Sequence, residues 1–210
     1  EGVLDGVYPA SAEHLAPVLD EIKLLTHLVE DLHLLSLAEA GQLPLGKHAT
    51  DIAALLRDAQ VNFEPQADDR GVTLALDFPA QDPDSVTVEV MADGRRIAQV
   101  LGNLLTNALR HTPSEGRVTL SLSVSKDMAR VSVADSGAGI PAKDLPHIFE
   151  RFWRGEKSRS RAVGGAGLGL AIAKYLVQAH GGEISVISPS MLDQQKGTTF
   201  YFTLPLAPLK

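Results

Sequence analysis

Asn103 and Asn107 stand four residues apart in the run VLGNLLTNALRHT at 100–112, with Arg110 and His111 close behind. At that spacing both amides project from one face of a helix, and the basic pair follows a turn later. Ile97, Val100, Leu101, Leu104, Leu105 and Ala108 around them form a core-facing set. Amides on so apolar a helix need partners, because a buried polar group left unpaired costs about 1–3 kcal/mol. Two readings follow. Either the amides bond neighbouring backbone, or their carbonyl oxygens hold Mg²⁺ while the cations hold phosphate.

A second group is Asp135-Ser136-Gly137-Ala138-Gly139-Ile140-Pro141, which follows an apolar strand. Its glycines allow a close approach of backbone to a ligand, or a positive φ. An ionised carboxylate only accepts hydrogen bonds, so Asp135 should face a donor rather than a phosphate. The exocyclic amine of adenine is such a donor. A plain strand-to-helix turn capped by Asp135 is the blander account. GAGIPA also fits the loose dinucleotide fingerprint, but that reading needs a βαβ unit near the start of a doubly wound domain. Here the run comes late, after a hairpin.

The third group, Gly164-Gly165-Ala166-Gly167-Leu168-Gly169-Leu170, opens a helix. Backbone N–H groups at a helix N-terminus make an anion site that glycines leave accessible. No G-x-x-x-x-G-K-[ST] run occurs, since Gly46-Lys47 is followed by His48, so a P-loop is excluded. Arg154, Lys157, Arg159 and Arg161 make the preceding segment basic. It is either a solvated loop or a glycine-hinged cover for a nucleotide.

The elements that must position these groups can be read from periodicity. Leu15, Val18, Ile22, Leu25, Val29, Leu32 and Ser36 recur in steps of three and four, predicting a heptad helix over 11–40 that Gly41 stops. Leu28 and Leu35 widen the stripe toward a bundle. A helix is expected over 51–68 with a kink or stop near Pro65. Strands are expected at 72–78 and 86–90, and a helix capped by Asp93 over 94–111. Strands 117–125 and 129–135 form a hairpin around Lys126-Asp127. Two short helical stretches are expected over 141–153, a helix over 167–180, and closing strands at 183–188 and 198–204. This order predicts a mostly antiparallel sheet with helices on one face.

Composition sets outer limits. The 210 residues are 44% hydrophobic, enough for a real core. Absence of cysteine excludes disulfides, thiolate metal sites and a cysteine nucleophile. The charge of −7, from 26 acids against 19 bases, argues against a nucleic-acid partner. No apolar run approaches the roughly 18 residues of a membrane span, so no membrane contact by this chain is expected. The start at Glu1 without methionine reads as a fragment of something longer.

Taken in order, Asn-x₃-Asn, then Asp-x-Gly-x-Gly, then Gly-x-Gly-x-Gly before a helix resemble the ATP-binding domain of two-component sensor histidine kinases. Ile148-Phe149-Glu150-Arg151-Phe152-Trp153-Arg154 resembles that family's stretch between the glycine boxes, and HGGEISVIS and GTTFYFTLP its final strands. The likeness covers about 45–206. LTHLVEDLHLLSLAEAG at 25–41 is similar to the second helix of the kinases' dimerisation domain. The resemblance implies an α+β, two-layer α/β sandwich of the histidine-kinase/gyrase ATPase type over 45–210. Residues 1–44 would be an incomplete dimerisation hairpin.

It also implies roles. Asp135 receives the adenine amine, with Gly137, Gly139 and Ile140 shaping the pocket. Asn103 and Asn107 hold Mg²⁺ and phosphates, Asn107 being the better metal ligand. Arg110 and Arg154 contact phosphate, and Gly165, Gly167 and Gly169 form the base of a flexible lid. Leu168 and Thr198 join the nucleotide site, and His111 stands where the family often has tyrosine. Such kinases use ATP and Mg²⁺, phosphorylate a histidine in a homodimer, and pass the phosphoryl group to a response regulator's aspartate. A cytoplasmic location beneath an inner-membrane anchor is implied for the parent protein.

The family's acceptor motif, H-[ED]-x-x-x-P, is missing. Histidines stand at 14, 27, 33, 48, 111, 147 and 180, and none precedes an acid. The chain is therefore expected to bind ATP without phosphorylating itself, and to dimerise weakly through the helix 11–40. Rival readings are a gyrase-type or mismatch-repair ATPase, a serine kinase of the same fold, a degenerate scaffold, or a nicotinamide enzyme.

Overall fold

The computed structural model describes residues 11–78, 86–155, 166–188 and 197–208. It divides into two units, Glu1–Gln42 and Leu43–Lys210. The first contains α1 (Ala12–Glu39), which runs through Pro17. Gly41 at φ 66° ends it, and the Gln42 N–H donates to the Leu37 carbonyl at 2.9 Å. That closure is a left-handed glycine C-cap. Leu15, Val18, Ile22, Leu25, Val29 and Leu32, the expected seam, are all exposed.

The second unit is built on a five-stranded sheet of order β2-β4-β5-β7-β6. Its strands are β2 (Thr73–Asp77), β4 (Arg117–Ser125), β5 (Met128–Asp135), β6 (Ile184–Ile187) and β7 (Thr198–Pro205). β2 pairs parallel to β4, and every other pairing is antiparallel. Burial alternates along β4, β5 and β7, so one face is apolar. Onto it pack α2 (Ile52–Asp68), α3 (Gly94–His111) and α4 (Gly169–Ala179). The core joins Leu101, Leu104, Leu105 and Leu109 of α3 with Leu120, Val131, Val133, Phe200 and Phe202 of the sheet.

Three expectations need correction. α2 spans nearly the expected residues, but of the kink or stop expected near Pro65 the stop does not occur. The proline removes the bond that the Val61 carbonyl would accept, but Val61 is exposed, where water can replace it. Residues 141–153 form no helix; they are consecutive turns closed by bonds such as His147 N–H to the Asp144 carbonyl at 2.9 Å. A strand, β1 (His48–Asp51), forms where none is expected, and pairs antiparallel with β3 (Glu89–Ala92). That pairing also places β3 later than the expected 86–90.

α3 is pinned at its start. Asp93 Oδ1 accepts the Arg95 and Arg96 N–H groups at 3.1 and 3.3 Å, and Oδ2 accepts Gly46 N–H at 3.1 Å. The Asp93 N–H donates in turn to Nε2 of buried His180 at 3.0 Å. The other ring nitrogen, Nδ1, meets the Leu176 carbonyl at 2.6 Å. A carbonyl only accepts, so Nδ1 carries the proton and Nε2 the lone pair. Burial holds the His180 pKa below its ordinary value, which keeps this neutral tautomer.

The Asp93 carboxyl titrates below its ordinary range: burial raises its pKa, but the N–H bonds from Gly46, Arg96 and Arg95 outweigh that. Its contribution to stability is therefore present above the unfolded value of 3.8 and is lost as pH falls through the lower native value. Asp93→Ala should lower the unfolding free energy by about 1–2 kcal/mol at neutral pH. In urea titrations the gap from wild type should close once the buffer is acid enough to protonate Asp93.

Candidate functional site

Asp135 is the last residue of β5 and only 8% exposed. Its Oδ1 accepts the Gly137 N–H at 2.8 Å, and the Thr198 N–H donates to the same carboxylate. Thr198 is its register partner in β7. Burial pushes the Asp135 pKa up, and these two N–H groups pull it only partly back. A carboxylate has about four acceptor positions, so capacity remains for a further donor.

The loop beyond Asp135 is held by close packing. A Cβ at Gly137 would strike the carbonyl of His111, which presses this loop onto the end of α3. Gly139 takes φ 78°. The Ile140 N–H donates to Ser188 Oγ at 2.7 Å, and that hydroxyl donates to the Gly197 carbonyl at 3.1 Å. Gly197 has φ 118°, and a Cβ there would strike the Asp135 carbonyl. Ser188 thus ties the loop after Asp135 to the residue that precedes β7. Sequence reasoning missed it, since a serine after a strand carries no distinguishing signal.

On α3 the two asparagines part company. Asn103 Nδ2 donates to the Gly169 carbonyl at 3.0 Å, so its amide links α3 to the start of α4, as the backbone-bonding reading has it. The Asn107 side chain is half-buried and has no hydrogen bond among the described residues. Its carbonyl oxygen is an available hard donor one turn further along. Among the described residues no three His, Cys, Asp or Glu cluster as a metal cage. A magnesium ion would fit here only with ligand phosphates and water completing its shell, which is how that ion is usually held.

Arg110 follows on the same face. It is half-buried, with no hydrogen bond or ion pair among the described residues. Burial lowers its pKa, and the nearby charges of Arg70 and Arg154 lower it further. Partial burial of the ring and the Arg110 charge likewise hold His111 below its ordinary range. Guanidinium groups crowded in this way favour an anion beside them.

The third wall is the start of α4. Leu168 is buried and offers no side-chain cap to the first N–H groups. Gly167 takes φ 74°, and its carbonyl accepts the Phe152 N–H at 3.0 Å. A Cβ on Gly167 would stand 2.8 Å from the Trp153 carbonyl. Ile148 is buried and Phe149 packs edge-on against Phe200 at 6.2 Å, so the stretch bearing Arg154 is anchored to β7. Gly165, Lys157, Arg159 and Arg161 lie outside the described residues. The others converge: α3 meets the Asp135 loop through Gly137 and meets α4 through Gly169.

Comparison with known proteins finds relatives over most of the chain. The family described as histidine kinase-, DNA gyrase B-, and HSP90-like ATPase matches residues 92–208. The chain is 40% identical over 184 residues to the signal transduction histidine-protein kinase BaeS of Escherichia coli K12, covering 88% of this chain. It spans only 38% of that relative's length. Among solved structures, the Acinetobacter baumannii histidine kinase AdeS superposes with TM-score 0.76 at 28% identity, covering 99% of this chain and 91% of that one. Full-length ShkA in complex with AMPPNP gives TM-score 0.78 at 29% identity, covering 96% and 41%.

Gly167 faces both a positive φ and a filled space, so Gly167→Ala should lower the unfolding free energy by about 1–3 kcal/mol. Gly155→Ala, whose Cβ meets nothing nearer than 3.5 Å, should change it little. Chemical denaturation of the two variants beside wild type checks the contrast.

Proposed function

This chain belongs to the histidine kinase-, DNA gyrase B-, and HSP90-like ATPase family, and from that membership we propose that it is the Mg-ATP-binding catalytic domain of a two-component sensor histidine kinase. The observation that carries the reading is a buried carboxylate, Asp135, together with an amide and a guanidinium, Asn107 and Arg110, whose side chains have no hydrogen-bond or ion-pair partner among the described residues. A ligand for both needs a hydrogen-bond donor at one end and several negative charges at the other. ATP has an exocyclic amine and a triphosphate.

In this reading Asp135 accepts from the adenine amine, and Gly137 and Gly139 let the base lie against backbone. Thr198 and Ile140 line the same pocket. Arg110 and Arg154 meet the phosphates, and the N–H groups around Leu168 and Gly169 face them from the helix start. Asn107 gives its carbonyl oxygen to the metal, while Asn103 keeps α4 in place and holds the metal less directly. Bound Mg²⁺ neutralises phosphate charge and orients the γ-phosphoryl group. The half-buried Arg110 sits where water is thinned, which strengthens its attraction for that charge.

The acceptor would be a histidine, and the phosphoryl group would pass to an aspartate of a response regulator. Homodimerisation through the exposed heptad residues of α1 fits the same assignment. No described helix is long and apolar enough to cross a membrane, and a domain using ATP belongs on the cytoplasmic side of a parent anchored in the inner membrane. No histidine of this sequence precedes an acid. Phosphoryl transfer depends on a positioned nucleophile, so the chain should hold ATP without labelling itself.

Calorimetric titration with ATP tests the reading. Wild type should bind in the micromolar range, and Asp135→Asn should lose that binding. Asn107→Ala should bind ATP with much less gain on adding Mg²⁺, and labelled ATP should leave no phosphate on wild type. The raised Asp135 pKa gives a check free of nucleotide. Burial disfavours its charge, so the penalty on the native state is full at neutral pH and fades as pH falls through the raised native value toward 3.8. Asp135→Asn should accordingly melt no lower than wild type at neutral pH, with any advantage vanishing in acid. Wild type that binds no ATP would overturn the proposal in favour of a degenerate scaffold.

A further inference from the structure

Arg70 lies in the turn between α2 and β2, far in sequence from the three motifs. That turn is fixed against the exit of α3. The Gly71 carbonyl accepts the Glu115 N–H at 2.7 Å, and the Thr73 N–H donates to the Gly116 carbonyl at 2.9 Å. Gly71 has φ 65°, and a Cβ on it would stand 2.7 Å from Ser114 Oγ. From this turn Arg70 Nη1 reaches the carbonyl of Leu109, the residue before Arg110, at 3.4 Å. That single long bond is the only hydrogen bond or ion pair of its side chain among the described residues.

A cation at a helix C-terminus is ordinary, since the helix dipole favours it there. What the dipole leaves unexplained is the company. Arg70 is near enough to Arg110 for its charge to disfavour the Arg110 cation, and Arg154 acts on Arg110 in the same sense. The chain has 26 acidic residues, yet neither Arg70 nor Arg110 has a carboxylate partner among those described. Like charges gathered near one another make the region favourable for an anion.

We propose that Arg70 is a third guanidinium of the phosphate-facing wall, a positioning residue that adds its charge to Arg110 and Arg154 and raises affinity for the polyphosphate part of the nucleotide. The proposal rests on the nucleotide reading above and deepens it, since no motif points to this residue. Its action is electrostatic and graded by ligand charge. ATP should feel it most, ADP less and adenosine not at all.

The full chain, with Arg70→Gln and Arg70→Lys, is titrated with ATP, ADP and adenosine at low and high salt. Arg70→Gln should weaken ATP binding about three- to ten-fold, leave adenosine unchanged and flatten the salt dependence. Arg70→Lys gives up the bond to Leu109 but keeps the charge, so most ATP affinity should remain. Circular dichroism should report both variants folded. Wild-type affinity for ATP in Arg70→Gln, an equal loss for ATP and adenosine, or loss of its fold would each overturn the proposal and leave Arg70 a cap for α3. Wild type that binds no ATP would instead overturn the nucleotide reading, and this inference with it.

Discussion

A carboxylate at the end of a strand hydrogen-bonded on both sides, with 8% of its surface exposed, constrains everything around it. Taking such a charge out of water costs several kcal/mol unless donors surround it. Asp135 finds them in backbone, from Gly137 on its own loop and Thr198 across the sheet. Backbone donors come close only where side chains are absent. Gly137 abuts the His111 carbonyl and Gly197 abuts the Asp135 carbonyl, so two contacts that any Cβ would block define the pocket. The donors are too few to restore the ordinary pKa, and the remaining imbalance is what a ligand's amine can relieve.

The other half of the site depends on where α3 sits along its axis. Its buried residues from Ile97 to Leu109 fix its rotation, which turns Asn107 and Arg110 away from the sheet. Rotation alone leaves the helix free to slide. Asp93 and His180 hold its first turn, and Asn103 ties its middle to Gly169. Both helices are therefore joined at two points, His180 standing at the far end of α4 and Gly169 at its start. The asparagine that looks like a ligand in sequence serves as a strut between α3 and α4.

What was legible in the sequence is what repeats locally. Alternation in β4, β5 and β7 and the apolar stripe of α3 announce themselves within a dozen residues, as do Asp93 and the glycine pairs. The features that escaped depend on partners remote in sequence. HATD has no alternation of its own and becomes a strand because β3 lies beside it. Pro65 fails to break α2 because Val61 faces water, which is a property of the fold. The 141–153 segment carries Pro146 in its interior, and Phe149 and Ile148 must reach the core within a few residues, which turns permit where a helix axis does not. Ser188 and Arg70 belong to the site only through the chain's path. Their residue types are too common to flag.

The charge distribution reconciles two readings of the composition that seem opposed. A net charge of −7 disfavours a nucleic-acid surface, which needs basic residues spread along many phosphates. A single nucleotide needs only a local reversal of sign. Screening in physiological salt limits exposed charges to about 8 Å of influence, so the acids elsewhere barely oppose guanidinium groups clustered at the end of α3. Partial burial of Arg110 extends that advantage, because its field passes through protein rather than water.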